Sequence, residues 1–249
     1  MKESVVVSWS GGKDSSLALR EIMASGRYEV VALLTTVTAG YDRISMHGVR
    51  CALLDRQAAA LGLPLRKVTI SPEATNAEYE GAMHTVLLDY KSQGITTVVF
   101  GDLFLEEIRK YRDRMLGEIG FNALYPVWGL NTAQLARDFI RMGFQAVLVC
   151  VDTRQLDPKF SGRFFDAPLL AEFPPKVDPC GENGEFHTFV FAGPIFKYPL
   201  KIEKGEVVTR GGFCFCDLGC TQKKTFLRAR SIRIETLLLR RGWRSFPFQ

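Results

Sequence analysis

The strongest constraint on this chain lies within its first sixteen residues. A hydrophobic run, Val5-Val6-Val7-Ser8-Trp9, leads into Ser10-Gly11-Gly12-Lys13-Asp14-Ser15-Ser16. The run reads as a buried strand, because its side chains are largely apolar and β-branched. Residues 15–25 read as a helix. Between strand and helix, two glycines let the backbone bend sharply and present its N–H groups with no Cβ in the way. The helix start adds N–H groups that lack intrahelical partners, and the positive end of the helix dipole. Lys13 supplies a mobile point charge. Together these features make a cradle for phosphate. The loop is not the GxxxxGK[ST] loop of kinases and GTPases, being shorter and carrying an aspartate after the lysine.

SGGKDS after a hydrophobic strand resembles the pyrophosphate loop of the ATP pyrophosphatase superfamily. That resemblance implies cleavage of ATP between its α and β phosphates, with adenylyl transfer and pyrophosphate release. Downstream, strand and helix patterns alternate. Strands are expected over 29–36, 65–70 and 96–100, and helices over 48–61, 76–92 and 105–119. A near-continuous apolar run such as Val30-Val31-Ala32-Leu33-Leu34 suits a parallel strand covered on both faces. The repeat predicts an α/β fold with helices on both sides of a parallel sheet. A helix is expected over 131–142 and a strand over 146–151. Beyond Asp152 the texture turns to short Pro/Gly-rich segments, with strands expected over 186–191 and 197–202. The expected organisation is an ATP-binding domain over 1–128, a smaller α+β substrate lobe over 129–220 and a basic extension over 221–249.

The overall charge of +5 is unevenly distributed. Residues 221–249 carry eight basic side chains against Glu235 alone, a net +7, which leaves −2 for residues 1–220. The body is therefore not a basic protein, and nucleic acid is not an expected partner. The extension is open to three readings: a poorly ordered tail, a helix covering a partner, or a contact to nucleic acid or anionic lipid. With 47% hydrophobic residues, the chain of 249 can build a packed core. No secretory leader or membrane span is evident. The six cysteines lack a small secreted scaffold, so a reducing cytoplasm is the expected setting.

The second informative segment is Gly181-Glu182-Asn183-Gly184-Glu185-Phe186-His187-Thr188-Phe189-Val190, a polar turn running into an apolar strand. On a strand, Glu185 and His187 share a face, where they could meet a substrate, a metal or each other. GENGEFHTFV, together with SGGKDS, resembles the diphthine–ammonia ligase family of the same superfamily. Shorter matches are Ser45-Met46-His47, Gly62-Leu63-Pro64, Gly101-Asp102 and Tyr125-Pro126-Val127-Trp128, and the likeness spans residues 4–217. It implies an adenine nucleotide alpha hydrolase-like (PP-loop/HUP) domain with a second lobe. It also implies ATP-dependent amidation of a carboxylate by ammonium, the acid in eukaryotic and archaeal members being diphthine, a modified histidine of elongation factor 2. Family members often follow Gly-Asp with Ile and a Gln-Arg pair, whereas Gly101-Asp102 here leads into Leu103-Phe104. That variant is more similar to a bacterial-type branch, which leaves the acid open between the elongation-factor histidine and a small metabolite.

On this resemblance, Ser10, Gly11, Gly12, Lys13, Ser15 and Ser16 are expected to hold the phosphates of ATP. The expected catalytic set is Lys13, Asp14, Asp102, Glu185 and His187, with Asp14 taking part in holding Mg2+, whose preference for hard oxygen ligands suits a carboxylate and phosphates. Asp102 ends a parallel strand, where such sheets place ligands; as an alternative it caps the next helix. Substrate is expected at His47, Arg109, Arg112, Glu182 and Asn183. The two arginines, spaced i,i+3 on one helical face, could equally form a solvated surface. Cys214, Cys216 and Cys220, with Cys180, offer a rival reading: thiolates for zinc or an iron–sulfur cluster in an RNA-thiolating enzyme. A non-catalytic ATP-binding module is a third.

Overall fold

The computed structural model describes residues 1–40, 43 and 48–220. His47 and the extension 221–249 lie outside the described residues. Two sheets form the frame. The first contains β1 (Glu3–Ser8), β2 (Tyr28–Thr38), β3 (Leu65–Ile70), β4 (Thr97–Val99) and β5 (Asn122–Leu124), all parallel, in the order β3-β2-β1-β4-β5. β1 is central, and its Val5, Val6 and Val7 are wholly buried.

Alternation along the strands divides the core in two. Val5, Val7, Leu33 and Val99 pack with Leu17, Leu19, Leu53 and Leu54, from α1 (Lys13–Ala24) and α2 (Cys51–Leu61). Val6, Ala32, Leu34 and Val98 face the other way, against Met83 and Leu87 of α3 (Asn76–Ser92) and Met115 and Leu116 of α4 (Glu106–Gly117). The sheet is thus covered on both faces, as its unbroken apolar runs require.

The second sheet is antiparallel. β6 (Gln145–Asp152) lies between β7 (Phe186–Ala192) and β9 (Phe213–Cys220), with β8 (Ile202–Arg210) outermost. α5 (Thr132–Arg141) and the short α6 (Ala167–Glu172) pack beside it. The apolar cluster on the α1 and α2 face continues into this lobe through Val147, Phe186, Phe189 and Val190. The two lobes therefore share one core. The architecture is a parallel-sheet PP-loop/HUP-like domain followed by a smaller α+β lobe. Among the described residues no helix is long and apolar enough to cross a membrane.

Three local expectations are corrected. α1 starts at Lys13 rather than at residue 15, and α2 at Cys51 rather than at 48. The segment 197–202 is not a strand; the Lys197 and Leu200 N–H groups bond to Ala60 and Phe191 carbonyls, and β8 begins only at Ile202. Pro199 explains this, since it cannot donate to a ladder.

Candidate active site

The loop between β1 and α1 opens at the carboxyl end of the parallel sheet, beside the exit of β4. Gly101 makes that proximity possible. A Cβ there would stand 2.7–2.8 Å from the backbone of Asp14 and Ser15, closer than any side chain tolerates. The helix takes Gly12 as N-cap, without a side-chain cap. Its leading N–H groups are therefore left to other partners. The Gly12 N–H donates to Ser10 Oγ at 3.3 Å, and Ser10 Oγ lies 3.2 Å from Ser15 Oγ. Ser16 Oγ is turned back to the Gly12 carbonyl at 2.8 Å and is fully buried.

Lys13 is only 2% exposed. Its ammonium donates to both oxygens of Asp14, at 2.8 and 2.9 Å, and to the Cys180 carbonyl. Burial alone would lower its pKa; the surrounding anions, Asp14 first, outweigh that and raise it. Burial likewise pushes the Asp14 carboxyl up, against the opposing pull of Lys13. Glu182 completes the group. Burial, then the charge of Asp14, pushes its carboxyl up to about 8, while Oε1 accepts the Leu103 N–H at 2.7 Å.

The structure brings the 178–188 segment onto the loop. The Lys13 N–H donates to Thr188 Oγ1 at 3.0 Å, and the Val190 N–H donates to the Gly11 carbonyl at 2.9 Å. Within the segment, Glu185 ties the turn together: it accepts the Asp178 N–H at 2.8 Å, the Asn183 N–H at 3.0 Å and the Asn183 Nδ2 at 3.1 Å. His187 is partly buried on β7; burial, then the charge of Lys13, pushes its imidazole down to about 4.

Asp102 and Arg112 form a buried ion pair, with Asp102 Oδ2 at 3.0 Å from Arg112 Nε and Oδ1 at 3.3 Å from Nη2. The closer contact is an ion pair without hydrogen-bond alignment. The Arg112 guanidinium also lies 4.3 Å from the centre of the Phe100 ring. Arg109 does not join it. Its guanidinium sits over Tyr125 at 5.0 Å and Trp128 at 4.7 Å, and its Nε is 3.7 Å from Asp113. A surface hollow of about 500 Å³, lined by Ser4, Pro64, Arg66 and Gln93, lies at the amino-terminal edge of the sheet, away from all these residues. Open parallel sheets bind ligands at the other end.

Among the described residues no three His, Cys, Asp or Glu side chains are grouped as a metal cage. Magnesium needs none, being held commonly by one or two carboxylates plus substrate phosphates. The Asp14 carboxylate, 29% exposed with Glu182 nearby, suits that donor set. Cys214 and Cys216 are buried on β9, the first against the Pro158 carbonyl at 3.8 Å, the second packed on Gly162. Burial pushes the thiols of Cys180 and Cys216 up, which disfavours the thiolates that a metal would need.

Two contributors escape sequence reading. Thr188 sits inside the GENGEFHTFV segment but carries no chemical signal of its own. Gln57 interrupts the apolar face of α2, which is the one hint it offers.

Residues 1–123 match the family model for the diphthamide synthase N-terminal domain, and residues 131–223 match that for the diphthamide synthase C-terminal domain. The chain belongs to the diphthamide synthase family. Its similarity extends to diphthine–ammonia ligases, members of the same family. The Bos taurus and Homo sapiens proteins are each 27% identical over 228 residues, covering 83% of this chain and 85% of theirs. The Mus musculus protein is 24% identical over 248 residues, covering 91% of this chain and 90% of its own. These diphthine–ammonia ligases are eukaryotic, as are the rat, zebrafish and fission-yeast relatives. The expected bacterial-type branch is thereby overturned. The Leu103-Phe104 variation is too short a signal to place the chain within the diphthamide synthase family.

Proposed function

We propose that this chain amidates a carboxylate in two steps, and that the acid is diphthine on an elongation factor. In the first step a carboxylate oxygen attacks the α-phosphorus of ATP and pyrophosphate leaves. In the second, ammonia attacks the acyl carbon of the acyl adenylate, AMP leaves, and the amide forms with loss of a proton. Adenylation is needed because the leaving group of a free carboxylate would be oxide. The observation that carries this reading is the buried Lys13 behind the Gly11–Gly12 turn, with the 178–188 segment folded onto it.

Ser10, Ser15 and the N–H groups of Gly11 and Gly12 bind the β and γ phosphates, while Ser16 braces the loop from within the helix. Lys13 neutralises the departing pyrophosphate; most of the catalysis in this step is charge stabilisation and alignment. Mg2+, held at Asp14, would offset further phosphate charge. Glu182, its carboxyl pushed up to about 8, is suited in its ionised form to take a proton from the attacking amine. His187, neutral at pH 7 because of burial and Lys13, offers the acyl group a hydrogen bond without adding charge. Glu185 and Asn183 keep the turn in shape. The Asp102–Arg112 pair sets the end of β4, and Arg109, on its aromatic platform, faces an anionic part of the substrate. The similar eukaryotic proteins are named diphthine–ammonia ligases, which favours diphthine over a free metabolite.

ATP labelled at the α or the γ position tests this. Pyrophosphate should require the diphthine-bearing factor, and sustained release of AMP should require the factor and ammonium together. ADP and phosphate as sole products would overturn it.

A further inference from the structure

Gln57 lies wholly inside the protein on α2, among Leu53, Leu54, Ala60 and Leu61. A buried amide is tolerated only when its hydrogen bonds are filled. Here Nε2 donates to the Gly11 carbonyl at 2.9 Å and to the Val190 carbonyl at 2.6 Å, and Oε1 accepts the indole N–H of Trp9 at 3.1 Å. The amide orientation is fixed by these partners, since two are acceptors and one is a donor.

This arrangement bears on the loop. The Gly11 carbonyl is held by Gln57 and by the Val190 N–H together. In a planar trans peptide, the carbonyl of Gly11 and the N–H of Gly12 point in opposite directions. Drawing the carbonyl inward therefore turns the Gly12 N–H outward, to the side where Ser10 Oγ and Ser15 Oγ lie. Gly11 has a φ of +77°, and a Cβ there would stand 2.6 Å from Gln57 Oε1. The glycine and the glutamine fit as a pair.

We propose that Gln57 is a positioning residue for ATP. It holds the Gly11–Gly12 peptide with its N–H toward the phosphates and ties that setting to β7, so that the loop is formed only with the second lobe docked. The proposal rests on the reading of the loop as an ATP site.

The test uses the full chain with Gln57→Met, which keeps length but has no donor, and Gln57→Glu, which keeps an acceptor for Trp9. ATP affinity by calorimetry and steady-state kinetics in ATP and in ammonium are measured beside the thermal midpoint. The folded variants should lose about 10–100-fold in kcat/KM for ATP, with KM for ammonium unchanged. A glutamine that only fills the core would lower the midpoint and leave the ATP parameters of the folded enzyme at wild-type values; that result overturns the proposal. Amide hydrogen exchange on the wild-type chain needs no variant. ATP should slow exchange at Gly12, and binding without protection there contradicts the proposal. A wild-type chain that binds no ATP at all would sink the ATP reading as well, which distinguishes the two failures.

Discussion

Lys13 and Thr188 are 175 positions apart, yet the backbone N–H of one donates to the hydroxyl of the other at 3.0 Å. That bond joins the first helix of the parallel-sheet domain to the strand after the polar turn of the second lobe. Thr188→Val keeps the shape and removes the acceptor. It should cost about 1–3 kcal/mol in chemical unfolding, the usual penalty for a buried unpaired group, and should weaken ATP binding. Thr188→Ser should restore both. Wild-type unfolding of the valine variant would show that the bond does not hold the lobes.

Lys13 is buried and paired rather than solvent-facing. Lys13→Ala should cut turnover by about 10²-fold or more, as loss of a transition-state donor does. It also leaves the Asp14 charge without its partner. Turnover within a few-fold of wild type, measured by pyrophosphate release, would remove Lys13 from the chemistry.

Glu182 makes a prediction about pH. Its carboxyl is pushed up to about 8 from 4.5 by burial and by Asp14, so in that interval the folded chain holds a proton that the unfolded chain has lost. Its contribution to stability is present below pH 4.5 and is lost as pH rises through 8. His187, pushed down to about 4 from 6.5, acts oppositely: its contribution is present above 6.5 and is lost as pH falls through 4. Between pH 4.5 and 6.5 the two oppose each other, so Glu182→Gln should unmask a rise in stability there and remove the decline between 6.5 and 8. Parallel wild-type and variant curves would contradict the assignment.

How much of the molecule is legible in its sequence differs by element. β1, its loop and α1 can be read because a wholly buried strand and a glycine pair leave local marks. β8 cannot: its residues, Ile-Glu-Lys-Gly-Glu-Val-Val-Thr-Arg, are mostly exposed and carry no core periodicity, so its pairing with β9 decides the structure. Glu185 reads as a chemical group in sequence, but its three hydrogen bonds within the turn depend on the chain folding back from Asp178. Gln57 is tied to residues 46 and 133 positions away, and no local pattern reports such contacts.

The cysteines provide a further check. Cys214 and Cys216 are packed rather than grouped. Their alanine variants should lose on the order of 1 kcal/mol of stability each, as a small buried group does, and keep ATP turnover. Zinc, iron and acid-labile sulfide are measured on protein purified without oxygen. A stoichiometric cluster lost from either variant would favour the thiolation reading.

On the proposed mechanism, AMP formation and amide formation are one coupled reaction. Purified chain, ATP, ¹⁵N-ammonium and elongation factor carrying diphthine are combined, and AMP is counted against the labelled amide found on the modified histidine by mass spectrometry. One AMP is expected for each labelled amide, with both products formed about 10²-fold more slowly, or slower still, by Lys13→Ala. ADP in place of AMP, or AMP released while the histidine keeps its free carboxylate, would contradict the mechanism.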